Sequence, residues 1–325
     1  MGEALEVAKV LVEPTMKLLD MVGGAIGTLY EPKHKRKMAD ATAYEINAIG
    51  EAMRNAADMP VVYDQNGVAI NSEDFDRLMQ RAGTRLALQE TIKQHNIESV
   101  IDHAYEILEK EEHCSEEPVE QGWINRFFAS VADISDEDLQ KLWAKVLAGE
   151  IKQPKSYSLR ALETLKNLSK YEAELFQYIA PYVISTNDLS FVSANKEIKN
   201  KFNILDGNYI QLDSCGLLQM IPFTEINTSI LPNEAQRNFF TNTRLLSITN
   251  NASNEQNLKI HEIYLLTSAG RELFNLLVSK PNDEYFEEWV SLTHKSNKKL
   301  LFTVHEKVEN KAKKYKAEPL ISLGE

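Results

Sequence analysis

The sequence predicts a mainly α protein, with an N-terminal helical domain followed by a smaller α+β domain of winged-helix type. Apolar residues recur at helical spacing from Leu5 to Ile179, the period that buries one face of a helix. Only 13 glycines in 325 residues leave little for the turns of a glycine-rich α/β enzyme. Beyond Ile184 the texture changes to asparagine-rich segments with short β-branched runs. These breaks place amphipathic helices in residues 1–60, a helical core domain in 61–168 and the winged-helix-like domain in 169–325. A chain of this length has room for more than one core.

The first helix is read from Leu5, Leu11, Leu18 and Val22, with a break or kink near Pro14. Residues 18–30 are apolar and PKHKRK (32–37) is basic, the order found in a membrane-surface anchor. Asp20 and the short apolar length favour a packed helix instead. Alanine-rich 37–57 reads as helix, and Asn66-Gly67 marks a turn in a hairpin or extended loop. Phe75, Leu78, Met79, Ala82, Leu86 and Ile92 line a further helix, after which Asn96 is placed to cap a separate one. The acidic run EKEEHCSEEPVE (109–120) reads as an exposed connection.

Trp123, Phe127 and Val131, with Ile124 and Phe128 beside them, mark a buried helix. Ser135 and Asp138 have the form of a capping box. The helix they open buries Leu139, Leu142, Trp143, Val146 and Leu147, and Gly149 is placed to end it. Pro154 blocks re-entry, SYS (156–158) supplies caps, and Leu159, Leu162, Leu165 and Leu168 form the next stripe. Ser169 with Glu172 makes a second capping box and opens KYEAELFQYIAPYVI, the expected first helix of the winged-helix module. YIQLDSCGLLQM (209–220) reads as helix into strand, and SAGRELFNLLVS (268–279) as helix. RLLSITN (244–250) and IHEIYLLT (260–267) read as two strands around the polar loop NASNEQN. A helix around YFEEWVSLTHK, a strand LLFTVHEKV and a lysine-rich tail follow.

The net charge of -12 is unevenly spread, with 20 Lys+Arg against 31 Asp+Glu through Ile184 and 16 against 17 beyond it. Binding a polyanion needs many phosphate-neutralising cations, which counts against nucleic acid as a partner of the first part. The expected recognition segment GNYIQLDSCGLL carries no Arg or Lys to read guanine, so protein contact is preferred over DNA binding. The histidines lack metal-ligand spacing, and the adjacent His113 and Cys114 are poorly placed to close on one ion. GGAIG (23–27) follows a helical pattern rather than a strand, so it does not read as a phosphate cradle. No G-x-S-x-G is present, and Cys215 sits among apolar residues where a thiol is inert. Asp136, Glu137 and Asp138 are explained by a helix N-terminus. The sequence therefore predicts no enzyme, no metal and no cofactor.

Two distant cysteines and an N-terminus without a basic start point to reduced thiols in the cytoplasm. The residues singled out as an interaction or structural junction are Trp143, Glu150, Tyr157 and Arg160. Arg160 is placed to lock the loop to Glu150 or to bind an acidic partner, and the lock is preferred.

QETIKQHNIESVI (89–101) and EPVEQGWINRFFASVADISDEDLQKLWAKVLAGEIKQPKSYSLRALETLKNLSKYEAELF (117–176), with GTLYEPKHKRKMA near the N-terminus, carry a resemblance. They are similar to an uncharacterised bacterial domain family with abortive-infection alpha-like relatives. The resemblance implies a role in antiphage defence, in the cytosol or at the membrane periphery, with no catalytic residues to carry over. The expectation is a non-enzymatic interaction or effector protein working by self-association or through a protein partner. The alternatives are a winged-helix nucleic-acid-binding regulator and peripheral membrane contact through residues 1–37.

Overall fold

The computed structural model describes residues 13–26, 72–221, 224–232, 236–277, 279–307 and 315–324. The expected helix over 37–57, the Asn66-Gly67 turn and most of the lysine-rich tail lie outside the described residues. The chain divides into two compact units, Met1–Ser156 and Tyr157–Glu325.

The first unit is helical where described: α1 (Glu13–Ile26), α2 (Ser72–Leu108), α3 (Gln121–Val131) and α4 (Glu137–Lys152). Pro14 lies in the first described turn of α1, and the expected stretch before it, from Leu5, lies outside the described residues. Leu18 and Val22 are fully buried. Lys17 Nζ donates to the carbonyls of Ser115 (3.0 Å), Glu117 (2.6 Å) and Ile151 (3.2 Å), pinning α1 to the acidic link and to the end of α4.

α2 is one helix of 37 residues rather than the expected pair. Asn96 lies inside it, 3% exposed, and its side-chain amide donates to the Ala132 carbonyl at 2.8 Å. A tertiary acceptor has taken the side chain that a local cap would need. Ser99 Oγ donates to Gln140 Oε1 and Gln140 Nε2 donates to the Ile134 carbonyl, both at 2.8 Å, which seats the start of α4 against the last third of α2. Lys152 meets Glu111 at 2.7 Å, so the two helices run parallel. Trp143, Phe127 and Trp123 fill the core, Phe127 stacking on Trp123 at 5.1 Å and meeting Trp143 edge-on at 5.5 Å.

Two boundaries of α4 differ from expectation. Asp136 caps it, accepting from the Asp138 and Leu139 amides, so the cap falls one residue after Ser135. The helix also passes through Gly149 to Lys152, because the buried Glu150 and Ile151 beyond it still face the core.

The second unit overturns the mainly α, winged-helix expectation. It is the longer of the two units, and it is α+β, organised by an eight-stranded antiparallel sheet. The strands are β1 (Ile184–Ser185), β2 (Ser190–Ser193), β3 (Leu218–Gln219), β5 (Arg237–Phe240), β6 (Arg244–Thr249), β8 (Ile263–Leu266), β9 (Leu301–Glu306) and β10 (Ile321–Leu323). Their order is β10-β9-β6-β5-β1-β2-β8-β3, and β4 (Ile226–Ile230) pairs separately with β7 (Gln256–Ile260). The two strands read as a wing do not pair with each other. β6 lies between β5 and β9, the strand after the polar loop is β7 on β4, and β8 lies between β2 and β3. Register is set by distant partners such as Leu246 opposite Val304, which local patterning does not show.

The helices of this unit are α5 (Leu159–Asn167), α6 (Lys170–Ile179), α7 (Lys196–Lys201), α8 (Asp206–Ser214), α9 (Ser268–Phe274) and α10 (Asp283–Ser296). The capping box of Ser169 and Glu172 at α6 forms as read. Trp289 of α10 lies 5.6 Å from both Phe191 and Phe239 of the sheet, tying helix to strands. Thr267 caps α9 through the Gly270 amide and donates to the Gly216 carbonyl at 2.6 Å. A Cβ at Gly270 would stand 2.0 Å from the Leu217 carbonyl oxygen, so this close approach requires glycine.

Candidate interaction surfaces

The four residues singled out in the sequence fall into two pairs. Trp143 and Glu150 stand seven residues apart on α4 and are both buried. Trp143 is fully enclosed, and its Nε1 finds no hydrogen-bond partner among the described residues. Glu150 is 2% exposed, and its Oε1 accepts the Lys155 backbone N–H at 2.6 Å. Lys155 has φ +69, so the carboxylate stabilises a left-handed turn that a lysine would otherwise adopt reluctantly. Lys155 extends its ammonium to Glu117.

Tyr157 and Arg160 belong to the second unit, on either side of Ser158. Tyr157 is buried and Arg160 exposed. Ser158 caps α5 through the Ala161 amide, and Glu272 of α9 accepts from both Ser158 N (2.6 Å) and Ser158 Oγ (2.9 Å). The segments PKSYSLR and LTSAGREL therefore meet at one carboxylate, and each is explained by capping and close packing.

Two exposed surfaces were not visible as such in the sequence. On α8, Ile210 is 58% exposed and the preceding Leu205 62%, with the exposed acids Asp206 and Asp213 beside them. Lys199 of α7 is engaged by Asp206, and α8 itself contains no cation. On α2, residues 77–95 contain no buried position and present Leu78, Leu86, Leu88 and Ile92 among arginines.

A polar cluster was also missed. Arg244, 13% exposed, meets Asp283 at 3.1 Å, Glu306 at 3.4 Å and Glu287 at 3.6 Å, joining β6 and β9 to α10. One guanidinium satisfying three carboxylates is a fastening within the unit, and its partners lie too far along the chain to be paired by spacing.

Burial raises the thiol pKa of both Cys114 and Cys215, which keeps them protonated and weakly nucleophilic. No group of His, Cys, Asp and Glu able to hold a metal ion occurs among the described residues. No described helix is long and apolar enough to cross a membrane.

A family model described as a protein of unknown function, DUF2806, matches residues 80–290, well over half of the chain. The chain belongs to the DUF2806 family. The DUF2806 region begins inside α2 and ends inside α10, so it takes in α3, α4, the junction residues and most of the sheet. No curated protein and no solved structure matches the chain.

Proposed function

We propose that this DUF2806 protein is a non-enzymatic interaction or effector protein that works through self-association or protein contacts in bacterial antiphage defence. The exposed face of α8 carries this reading. Ile210 and Leu205 stand in solvent beside the exposed acids Asp206 and Asp213, and apolar side chains left exposed on a folded unit suit a protein partner. The antiphage setting rests on the resemblance of residues 89–101 and 117–176. Capture of partners by the tagged full chain during phage challenge tests it. A partner held by the native protein and lost on Ile210→Asp supports the reading, and capture unchanged by that substitution at the face defeats it.

A nucleic-acid-binding regulator is the second reading. It is favoured by the helix pair α7 and α8 lying between β2 and β3, both of which pair with β8, a compact frame able to present a helix to a groove. The acids on α8 weigh against it, since a groove-reading helix needs cations or amides aimed at base edges. Titration of labelled duplex DNA with the full chain at low salt decides the matter, and no binding there removes this reading.

A further inference from the structure

We propose that two copies of the chain join antiparallel along the open edge of β4. This names one partner for the interaction reading, and it rests on that reading only in holding that the chain acts by contact. β4 pairs with β7 in a two-stranded ribbon, and no described strand lies on its other side. The pairing sets which backbone groups point outward. Asn297, just past α10, donates to the Lys259 carbonyl at 2.8 Å and accepts from the Lys259 N–H at 2.9 Å. Both polar backbone groups of Lys259 therefore face away from β4, and Lys259 stands opposite Asn227. In an antiparallel ladder both residues of such a pair turn their N–H and C=O outward, and the next such pair comes two residues on. Asn227 and Ser229 thus aim theirs at the open edge, where no group among the described residues bonds them.

Open edges are commonly blunted by charge, proline or a bulge. β4 reads INTSI, with no charged residue and no proline, and it meets β7 residue for residue without a bulge. Its order of residue types is the same in either direction about Thr228, and that symmetry selects the partner. A second copy laid antiparallel on a two-fold axis at Thr228 sets Asn227 of each copy against Ser229 of the other. Those are the residues with outward backbone groups, so each such pair exchanges both of its N–H···O bonds. Thr228 meets Thr228 and each Ile226 meets an Ile230, cross-strand pairs of matched polarity that stabilise a sheet. The result is one continuous sheet built from two ribbons. An edge of five residues is small for a permanent interface, so the dimer is a concentration-dependent one.

Light scattering on the full chain after size exclusion, across a dilution series, tests the proposal. The native chain is expected to dimerise as its concentration rises. Ser229→Pro deletes an N–H that points out of the ribbon and none that the β7 ladder uses, so it is expected to stay monomeric with an unchanged circular dichroism spectrum. Two further variants read the register at positions 227 and 229, both exposed. Asn227→Lys with Ser229→Lys opposes lysine to lysine across the axis and is expected to stay monomeric. Asn227→Lys with Ser229→Glu opposes lysine to glutamate and is expected to dimerise, which shows that loss in the lysine pair is not misfolding. A native chain that stays monomeric at every concentration overturns the proposal, and the interaction reading keeps its own test at Ile210. A dimer that persists in both Ser229→Pro and the lysine pair also overturns it, because the copies then meet elsewhere.

Discussion

Replacing Asp102 with asparagine probes the electrostatics inside the first unit. Asp102 is 6% exposed on α2, and burial, followed by repulsion from Glu106, raises its pKa from 3.8 to about 6. A carboxylate with a raised folded-state pKa holds its proton more tightly when native than when unfolded. Its contribution therefore lowers stability as pH rises from the unfolded value through the folded one. Below both values the side chain is neutral in either state and costs nothing. Above both it is charged in either state, and the folded state carries the penalty. At 1.36 kcal/mol per pKa unit the displacement amounts to about 3 kcal/mol at pH 7.5 and about 1 kcal/mol at pH 4.5. Asp102→Asn keeps the shape and removes the charge, so it should stabilise the unit by about 3 kcal/mol at the higher pH and about 1 kcal/mol at the lower. Hydrogen exchange of α2 and α4 amides, corrected for intrinsic rates and followed across that pH range, measures both numbers. A difference that does not change with pH, or an asparagine variant less stable at pH 7.5, refutes the reasoning.

Other substitutions test the packing and capping arguments. Trp143→Phe should change stability by no more than about 1 kcal/mol in chemical denaturation, since it removes an unsatisfied buried N–H along with some packing, whereas Trp143→Ala should cost about 3–5 kcal/mol. Glu272→Ala should cost about 2 kcal/mol by removing the acceptor of both Ser158 bonds, and a double-mutant cycle with Ser158→Ala should show most of that loss as coupling. Gly270→Ala should cost about 3 kcal/mol or leave the second unit unfolded by circular dichroism, because the new methyl meets the Leu217 carbonyl with no room to shift. Arg244→Met should destabilise by about 2 kcal/mol in thermal melts, because it removes the guanidinium that Asp283, Glu287 and Glu306 share.

Many of the helices in both units were legible because their signals are local. The stripe of Trp123, Phe127 and Val131 predicted burial that the structure shows, and Ser158, Ser169 and Glu172 cap the helices they were read to cap. Errors arose where a distant group competed for a locally suggestive residue. Asn96 reads as a cap until Ala132 offers its carbonyl, and Gly149 reads as a stop until burial of Glu150 and Ile151 rewards another turn.

The sheet was illegible for a related reason. β1 and β3 are two residues each, too short for an alternating pattern to register, and β4 reads INTSI, with an isoleucine only at each end. What makes INTSI a strand is the facing segment Gln256–Ile260, paired along its whole length. The same holds for the surfaces. An isoleucine at position 210 looks like core in sequence, and only the placement of Tyr209 and Leu212 inward leaves it facing solvent. A helix of nine residues with two buried positions has most of its circumference to spare. Apolar residues in that remainder carry no local signature separating them from core, so an interaction face of this kind emerges only once the fold has assigned the inward side.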